Sequence, residues 1–88
     1  MLTSIKKLKE IANKKGLKYK DLGFSNRKGK KYYVINENDK KIHFGALGMD
    51  DYTITGNKEQ RKRYRARHSH DKINNPDYAG FWSYHLLW

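Results

Sequence analysis

A dense run of cations late in the chain is the part of the sequence best suited to chemistry. It reads Arg61-Lys62-Arg63-Tyr64-Arg65-Ala66-Arg67. Guanidinium groups donate paired hydrogen bonds to phosphate oxygens, and a helix that presents them every three or four residues can follow a nucleic-acid backbone. A second basic cluster just before a predicted strand can add contacts. The residues expected to bind phosphate are Arg61, Arg63, Arg65, Arg67, Arg27, Lys30 and Lys31. The competing interpretation is a solvated charge run that only keeps the protein soluble.

The cation run is expected to lie on a helix over residues 58–69. Asn57 followed by Gln60 has the spacing of a capping box at a helix N-terminus. Tyr64 and Ala66 are the only apolar residues of this helix, so it has little to bury against a core. A helix of this composition bridges solvent, is held by ion pairs, or faces a charged partner.

The positive charge of this helix must be balanced by anions outside it. The five cations between Arg61 and Arg67 repel one another, and Glu59 is the only acid in the body of the helix. We expect either an external polyanion or carboxylates elsewhere in the fold to compensate. We expect the carboxylates of Asp50 and Asp51 to form ion pairs with these arginines. A paired carboxylate in a loop can also do acid–base or metal chemistry.

The histidines raise the question of a metal site. His68 and His70 are two residues apart, so on a helix their side chains point in different directions. No spacing typical of a zinc site occurs and the chain has no cysteine, so we predict neither a metal nor another cofactor. A hairpin with His43 followed by a helix with His68 has the element order of small ββα-metal nucleases, in which histidine activates water. A metal-dependent nuclease is therefore one alternative, while the primary prediction is a protein that is not an enzyme.

The first helix is predicted over residues 3–15. Thr3 or Ser4 can cap its start, and Gly16 lies where a left-handed C-terminal cap belongs. Three- and four-residue spacing places its apolar residues on one face, and lysines occupy the rest. The apolar face consists of Leu2, Ile5, Leu8, Ile11 and Ala12.

The middle of the chain predicts a small antiparallel sheet. Residues 31–36 and 41–44 are β-branched, aromatic or alternating, and 37–40 is a turn cluster, which together indicate a hairpin. An earlier strand over residues 19–25 can join through a turn at 27–30 and make a three-stranded meander. Glycines follow the hairpin and are expected to end regular structure there.

The end of the chain is rich in large apolar groups. Asn75-Pro76 is expected to start a helix or turn, because proline suits the first helical position. The groups that follow at near-helical spacing are Tyr78, Phe81, Trp82, His85 and Leu86, and Leu87-Trp88 ends the sequence. They are too many to leave in water, so they either close the core or form a contact surface.

The length and composition of the chain limit the kind of protein that these elements can form. The chain has 88 residues, 20 Lys+Arg against 9 Asp+Glu, and a formal net charge of +11. This length fits one domain, and no apolar run approaches the about 20 residues that span a bilayer. Aromatic residues make up 14% of the chain, which favours a folded domain over disorder. We predict a single α+β domain over residues 1–88, with non-specific binding to nucleic acid, most readily duplex DNA.

Four blocks of sequence in succession also resemble a known family. They are Lys30-Lys31-Tyr32 with Lys41-Ile42-His43-Phe44-Gly45, then Asp51-Tyr52-Thr53-Ile54, then Arg61 with Tyr64-Arg65-Ala66-Arg67-His68, and finally Ala79-Gly80-Phe81-Trp82 with Leu87-Trp88. Over residues 18–88 the chain resembles a family of small uncharacterised proteins found mainly in nucleocytoplasmic large DNA viruses. The family-like core therefore spans about residues 17–88, and the helix over 1–16 lies outside it. The resemblance implies no activity and no catalytic residue.

What the resemblance implies is a setting. It suggests a viral protein in the host cytoplasm, a virus factory or the virion, and it favours genome association over metabolism. Our primary prediction is a non-enzymatic structural protein that binds nucleic acid through phosphates and helps to condense or organise the genome. The first alternative is a minor capsid or cementing protein, whose cations face acidic capsid surfaces and whose aromatic end docks into a neighbour.

Overall fold

Helices pack against a small antiparallel sheet in the computed structural model, which describes residues 2–70 and 72–88. The elements in chain order are α1 (Ile5–Lys14), β1 (Asp21–Phe24), β2 (Lys30–Ile35), β3 (Lys41–Ala46), α2 (Tyr52–Thr55), α3 (Lys58–Arg67) and α4 (Ala79–Trp82), and α4 continues as a π-helical turn over Ser83–Leu87. We call residues 79–88 the C-terminal segment. The predicted α+β class is confirmed. Within the described residues, no helix has both the length and the apolar composition needed to cross a bilayer.

Helix α1 begins and ends where local chemistry favours it. The Ser4 hydroxyl accepts a hydrogen bond from the Lys7 N–H at 3.2 Å, so Ser4 rather than Thr3 is the cap. Gly16 has φ +70°, and the next N–H, of Leu17, donates to the Ala12 carbonyl at 2.8 Å. Leu8 and Ala12 are fully buried on the side that faces the rest of the fold.

The sheet is a meander in which the order β1-β2-β3 follows the chain. Tyr32 pairs with Phe44 and Val34 with Ile42, so one face of the sheet carries a continuous apolar surface. The Asn36 side-chain oxygen accepts from the N–H groups of Asn38 and Lys40, both at 3.0 Å, and this closes the hairpin turn. The three-stranded arrangement, rather than an isolated hairpin, is thus the correct one of the two predicted sheets.

Strand β3 extends beyond the point where the sequence predicts a break. Gly45 stays within the strand, which ends at Ala46, but it adopts φ +79°. A Cβ atom at this position would lie 3.2 Å from Cβ of Lys31 and 3.1 Å from Cδ1 of Leu87. Glycine is therefore required twice, for the backbone conformation and for the close approach of two side chains.

The C-terminal segment closes the core. Trp82, Leu86 and Leu87 are at most 2% exposed, and the Trp82 ring packs 6.4 Å from that of Phe44 on β3. The indole N–H of Trp82 donates to the Pro76 carbonyl at 2.8 Å, so its polar atom is satisfied. Of the two roles expected for these large groups, core packing is the one the structure shows. Pro76 lies in a turn, which is one of the two structures predicted for it, and the helix itself starts at Ala79.

Candidate nucleic-acid interface

Helix α3 carries the cation run and begins as the sequence predicts. The Asn57 side-chain oxygen accepts from the N–H groups of Glu59 and Gln60, both at 3.0 Å. The reciprocal half of the predicted capping box is absent, since the Asn57 N–H donates to the Thr55 hydroxyl at 3.2 Å. The helix ends at Arg67, two residues earlier than predicted.

One side of α3 contacts the C-terminal segment, but none of its residues is fully buried, which agrees with the prediction that this helix has little to bury. The Tyr64 ring stacks on Trp88 with centroids 4.4 Å apart and planes 8° from parallel. On its other side it stacks on His68 at 4.1 Å. Each stacked pair is worth about 0.5–1.5 kcal/mol beyond the area it buries. One tyrosine and flanking side chains are thus enough to fix α3 on the fold.

Two of the predicted phosphate-binding arginines lie on this same packed side. The Nε–H groups of Arg61 and Arg65 donate to the main-chain oxygen of Trp88 at 2.7 and 3.2 Å. Each guanidinium also lies 4.8 Å from the centre of a tyrosine ring, Tyr52 for Arg61 and Tyr84 for Arg65. Both arginines are half-buried. Their charge still contributes to the local potential, but part of their donor capacity is used inside the molecule.

Lys31 is not available to a phosphate, which corrects the sequence prediction for this residue. Its side chain is 2% exposed, and its ammonium group lies 2.7 Å from Oδ2 of Asp51, which is equally buried. Gly45 leaves the space through which the Lys31 side chain enters the interior. A buried cation needs such a carboxylate, because an unpaired charge in the interior is very costly.

Asp51 also organises the short helix α2, which the sequence did not predict. Its Oδ1 accepts from the Thr53 N–H at 2.9 Å and from the Thr53 hydroxyl. Because the Thr53 hydroxyl proton is used there, the Thr3 hydroxyl donates to Thr53 at 2.6 Å, and the Thr3 N–H donates to the Tyr32 hydroxyl at 2.9 Å. Asp51 thus joins α2, β2 and the start of the chain in one polar network.

The expectation that Asp50 and Asp51 pair with the arginines of α3 is therefore wrong for Asp51. Asp50 is exposed and makes no ion pair within the described part of the chain. The ion pairs between described residues are Lys20–Asp39 and Lys31–Asp51. Along residues 2–70 and 72–88, no side-chain carboxylate lies within ion-pair distance of an α3 cation.

An open cleft brings together cations that are far apart in the sequence. It has a volume of about 640 Å³ and lies between the loop after β3, helix α3 and the C-terminal segment. Lys30, at the start of β2, and Arg67, at the end of α3, both line it. Arg63 and Arg27 are exposed and are not among the residues that line the cleft. Of the predicted site residues, the cleft thus unites Lys30 and Arg67 around the buried Lys31.

Lys7 in α1 and Lys15 directly after it bond to the neighbouring segments, and the sequence prediction missed both. The Lys7 ammonium donates to the Thr53 carbonyl at 3.3 Å, and that of Lys15 donates to the His85 carbonyl at 2.5 Å. Partial burial, followed by repulsion from Arg65 and Arg61, lowers the pKa of Lys15 below its usual 10.5. Their eight-residue spacing, about two helical turns, is the signal that could have placed both on one side of α1.

Three of the four histidines make separate contacts. Nδ1 of His43 lies 2.7 Å from the Ser25 hydroxyl, and Nε2 of His85 lies 2.6 Å from the Ile73 carbonyl. His68 stacks on Tyr64. Over the described ranges 2–70 and 72–88, no cluster of three or more His, Asp or Glu side chains could hold a metal ion.

These features define a small basic α+β domain with a three-stranded meander, a capped basic helix and a cleft beside it. The chain belongs to a family of unknown function (DUF5754), whose model matches residues 20–68. The match covers β1 through α3 and ends at His68, so it includes the buried Lys31–Asp51 pair but neither α1 nor the C-terminal segment. No curated protein and no solved structure matches the chain at a significant level.

Proposed function

We propose that this chain is a non-enzymatic protein that binds nucleic acid without sequence preference through phosphate contacts. One observation carries the proposal: Lys30 and Arg67 line one cleft, and neither has a carboxylate within ion-pair distance among the described residues. A net charge of +11 on an 88-residue chain favours a polyanionic partner. In the viral setting that the sequence resemblance suggests, such a protein would condense or organise a genome in a virus factory or virion.

The half-buried arginines support this proposal through their field rather than by direct contact. Arg61 and Arg65 donate to a main-chain oxygen of Trp88, and neither has a side-chain carboxylate within ion-pair distance among the described residues. The exposed Lys62 and Arg63 add to this field on the outer side of α3. Direct phosphate contacts are therefore assigned to Lys30, Arg63 and Arg67, with Arg27 on the neighbouring turn.

The salt dependence of binding tests the proposal. Fluorescence anisotropy with a labelled oligonucleotide should show the logarithm of the association constant falling linearly with the logarithm of salt concentration. The double variant Lys30→Gln/Arg67→Gln should reduce this slope by about 0.7 to 0.9 for each phosphate that the protein no longer neutralises.

A matched control separates the cleft from total charge. Lys20→Gln/Lys41→Gln also removes two positive charges, but near the opposite end of the sheet, where Lys41 of β3 lies opposite Ile35 of β2. This control should leave the slope nearly unchanged. Equal slopes for both double variants would contradict a contact in the cleft, and salt-independent binding would contradict the function.

The capsid alternative is less favoured, because three large residues of the aromatic end are already packed inside the chain. Trp82, Leu86 and Leu87 are buried in the chain's own core, so the end of the chain does not offer them to a neighbour. Recovery of capsid proteins with this chain from disrupted virions after nuclease treatment would favour the alternative. Recovery only before nuclease treatment would favour the proposed function.

A further inference from the structure

The cleft beside α3 combines positive charge with exposed apolar surface. Met49 lines it and is 66% exposed, and Leu47, two residues earlier in the same loop, is 50% exposed. The loop is held in place, because the Leu47 N–H donates to the Gly29 carbonyl at 3.0 Å and the Met49 N–H to the Ala46 carbonyl at 3.2 Å. These backbone hydrogen bonds therefore anchor the loop that places Met49 in the same cleft as Lys30 and Arg67.

Duplex and single-stranded nucleic acids differ in how they match such a surface. A duplex hides the faces of its bases in the stack and presents phosphates on a wide, convex cylinder. An unpaired strand is narrower and exposes base faces, which side chains can cover. The cleft holds about 640 Å³, and the whole domain measures 34 × 27 × 26 Å, so a duplex can touch only the rim of the cleft.

We infer, resting on the proposed function, that the cleft binds single-stranded nucleic acid in preference to duplex. Phosphates lie at Lys30 and Arg67, and a base covers the thioether of Met49, a soft and adaptable contact. An acidic polypeptide would satisfy the cations as well. The single strand is favoured because it supplies flat apolar faces and a regularly repeated anion together, matching both kinds of lining.

Comparing two nucleic acids of one sequence tests this inference. The probes are a labelled single strand of about 12 nucleotides and the duplex made from it, a length within the range that small single-strand-binding domains cover. The single strand should bind about tenfold more tightly, a difference of about 1.4 kcal/mol, because its unstacked bases can cover apolar surface that a duplex leaves exposed.

One neutral substitution reports on the apolar contact without changing the charge. Met49→Ser should weaken single-strand binding about threefold and leave duplex binding unchanged, since it removes only exposed apolar surface. Leu2→Ser is the matched control, because Leu2 is 37% exposed but does not line the cleft. It should change neither affinity.

The outcomes separate the inference from the function on which it rests. Equal or tighter binding of the duplex, together with no effect of Met49→Ser, would overturn the single-strand preference. If binding still depended on salt concentration, the proposed function would stand. Absence of salt-dependent binding to either probe would overturn both. A polyglutamate peptide of matched charge that displaced the single strand with equal potency would overturn the inference in favour of an acidic polypeptide.

Discussion

Lys31 and the two arginines Arg61 and Arg65 are held inside this molecule by different kinds of partner. Lys31 is fully buried against the carboxylate of Asp51, and among the described residues every buried side-chain polar atom has a hydrogen-bond partner. Arg61 and Arg65 are half-buried against a main-chain oxygen and tyrosine rings. In the first arrangement a side-chain carboxylate cancels the charge inside the fold, while in the second a main-chain oxygen and aromatic rings position the guanidinium groups. Stability should therefore depend on the first arrangement, and polyanion binding on the region around the second.

The largest expected effect comes from breaking the buried pair. Asp51→Asn keeps a side chain that can cap α2 but leaves the Lys31 ammonium without a counter-charge, and it should cost about 3–5 kcal/mol in the free energy of unfolding. Urea denaturation followed by tryptophan fluorescence measures it. Asp50→Asn, at the exposed neighbour, should change stability by less than about 0.5 kcal/mol. Similar destabilisation in the two variants would refute the special role of the buried pair.

The next effect concerns the glycine that admits Lys31 into the interior. Gly45→Ala should cost about 2–3 kcal/mol, because it combines a left-handed backbone conformation with a Cβ that crowds Lys31 and Leu87. Gly48→Ala shares the conformation, at φ +82°, but meets no atom within 4 Å, and it should cost about 1 kcal/mol. Thermal unfolding of both variants gives the difference. Equal destabilisation would show that backbone conformation alone matters at Gly45.

A smaller effect on stability is expected from the arginines that donate hydrogen bonds to the C-terminal segment. Arg65→Gln removes the hydrogen bond to Trp88 and the contact with Tyr84, and it should cost about 1 kcal/mol. The exposed Arg63→Gln should stay within about 0.5 kcal/mol in stability. In binding assays the order should reverse, with Arg63→Gln weakening nucleic-acid affinity more. The same order in both assays would remove the distinction between positioned and contacting arginines.

The smallest effect lies at an exposed carboxylate and depends on pH. The Tyr33 hydroxyl donates to Asp21 at 2.6 Å and, with the Leu22 N–H, lowers the pKa of that carboxyl below its usual 3.8. A lowered pKa means that this contribution to stability is present above pH 3.8 and is lost as the pH falls through the folded-state pKa. Tyr33→Phe should therefore destabilise slightly near neutral pH, with the difference from the unmodified protein shrinking in acid.

A matched tyrosine keeps the pH experiment interpretable. Tyr78→Phe removes an exposed hydroxyl away from Asp21 and should leave the pH dependence of the melting temperature unchanged. A difference between Tyr33→Phe and the unmodified protein that stayed constant into acid would contradict the role of the ionised carboxylate.

Local patterns were enough to predict much of the fold. Ser4, Gly16 and Asn57 act at helix ends because capping depends on a few neighbouring atoms. The alternation of Ile42 and Phe44 predicted the buried face of β3 for the same reason. Helix α2 was not predicted, because a helix of four residues is too short to show a periodic pattern. Its N-cap residue, Asp51, is also held in place by Lys31 of strand β2, which is distant in the sequence.

The candidate site was predicted only in part. Arg67 and Lys30 were named from charge density, but nothing local indicated that they share a cleft. Lys31 was predicted on the same grounds, but its side chain is buried. Charge density along the sequence cannot distinguish an exposed lysine from a buried one beside it in the same strand. Lys15 was passed over because its approach to Arg61 and Arg65 depends on how α1 packs against the C-terminal segment.

The sequence by itself determined the strong net charge, the caps of α1 and α3 and the apolar faces, because these depend on composition and on residues within one or two turns. Only the tertiary structure decided which cations meet a carboxylate, which meet a main-chain oxygen and which stay open to a ligand. Ion pairing requires an approach of a few ångströms between side chains that are distant in sequence, as Lys31 and Asp51 show. Packing of the C-terminal segment against the sheet and α3 sets those distances, and no local pattern encodes them.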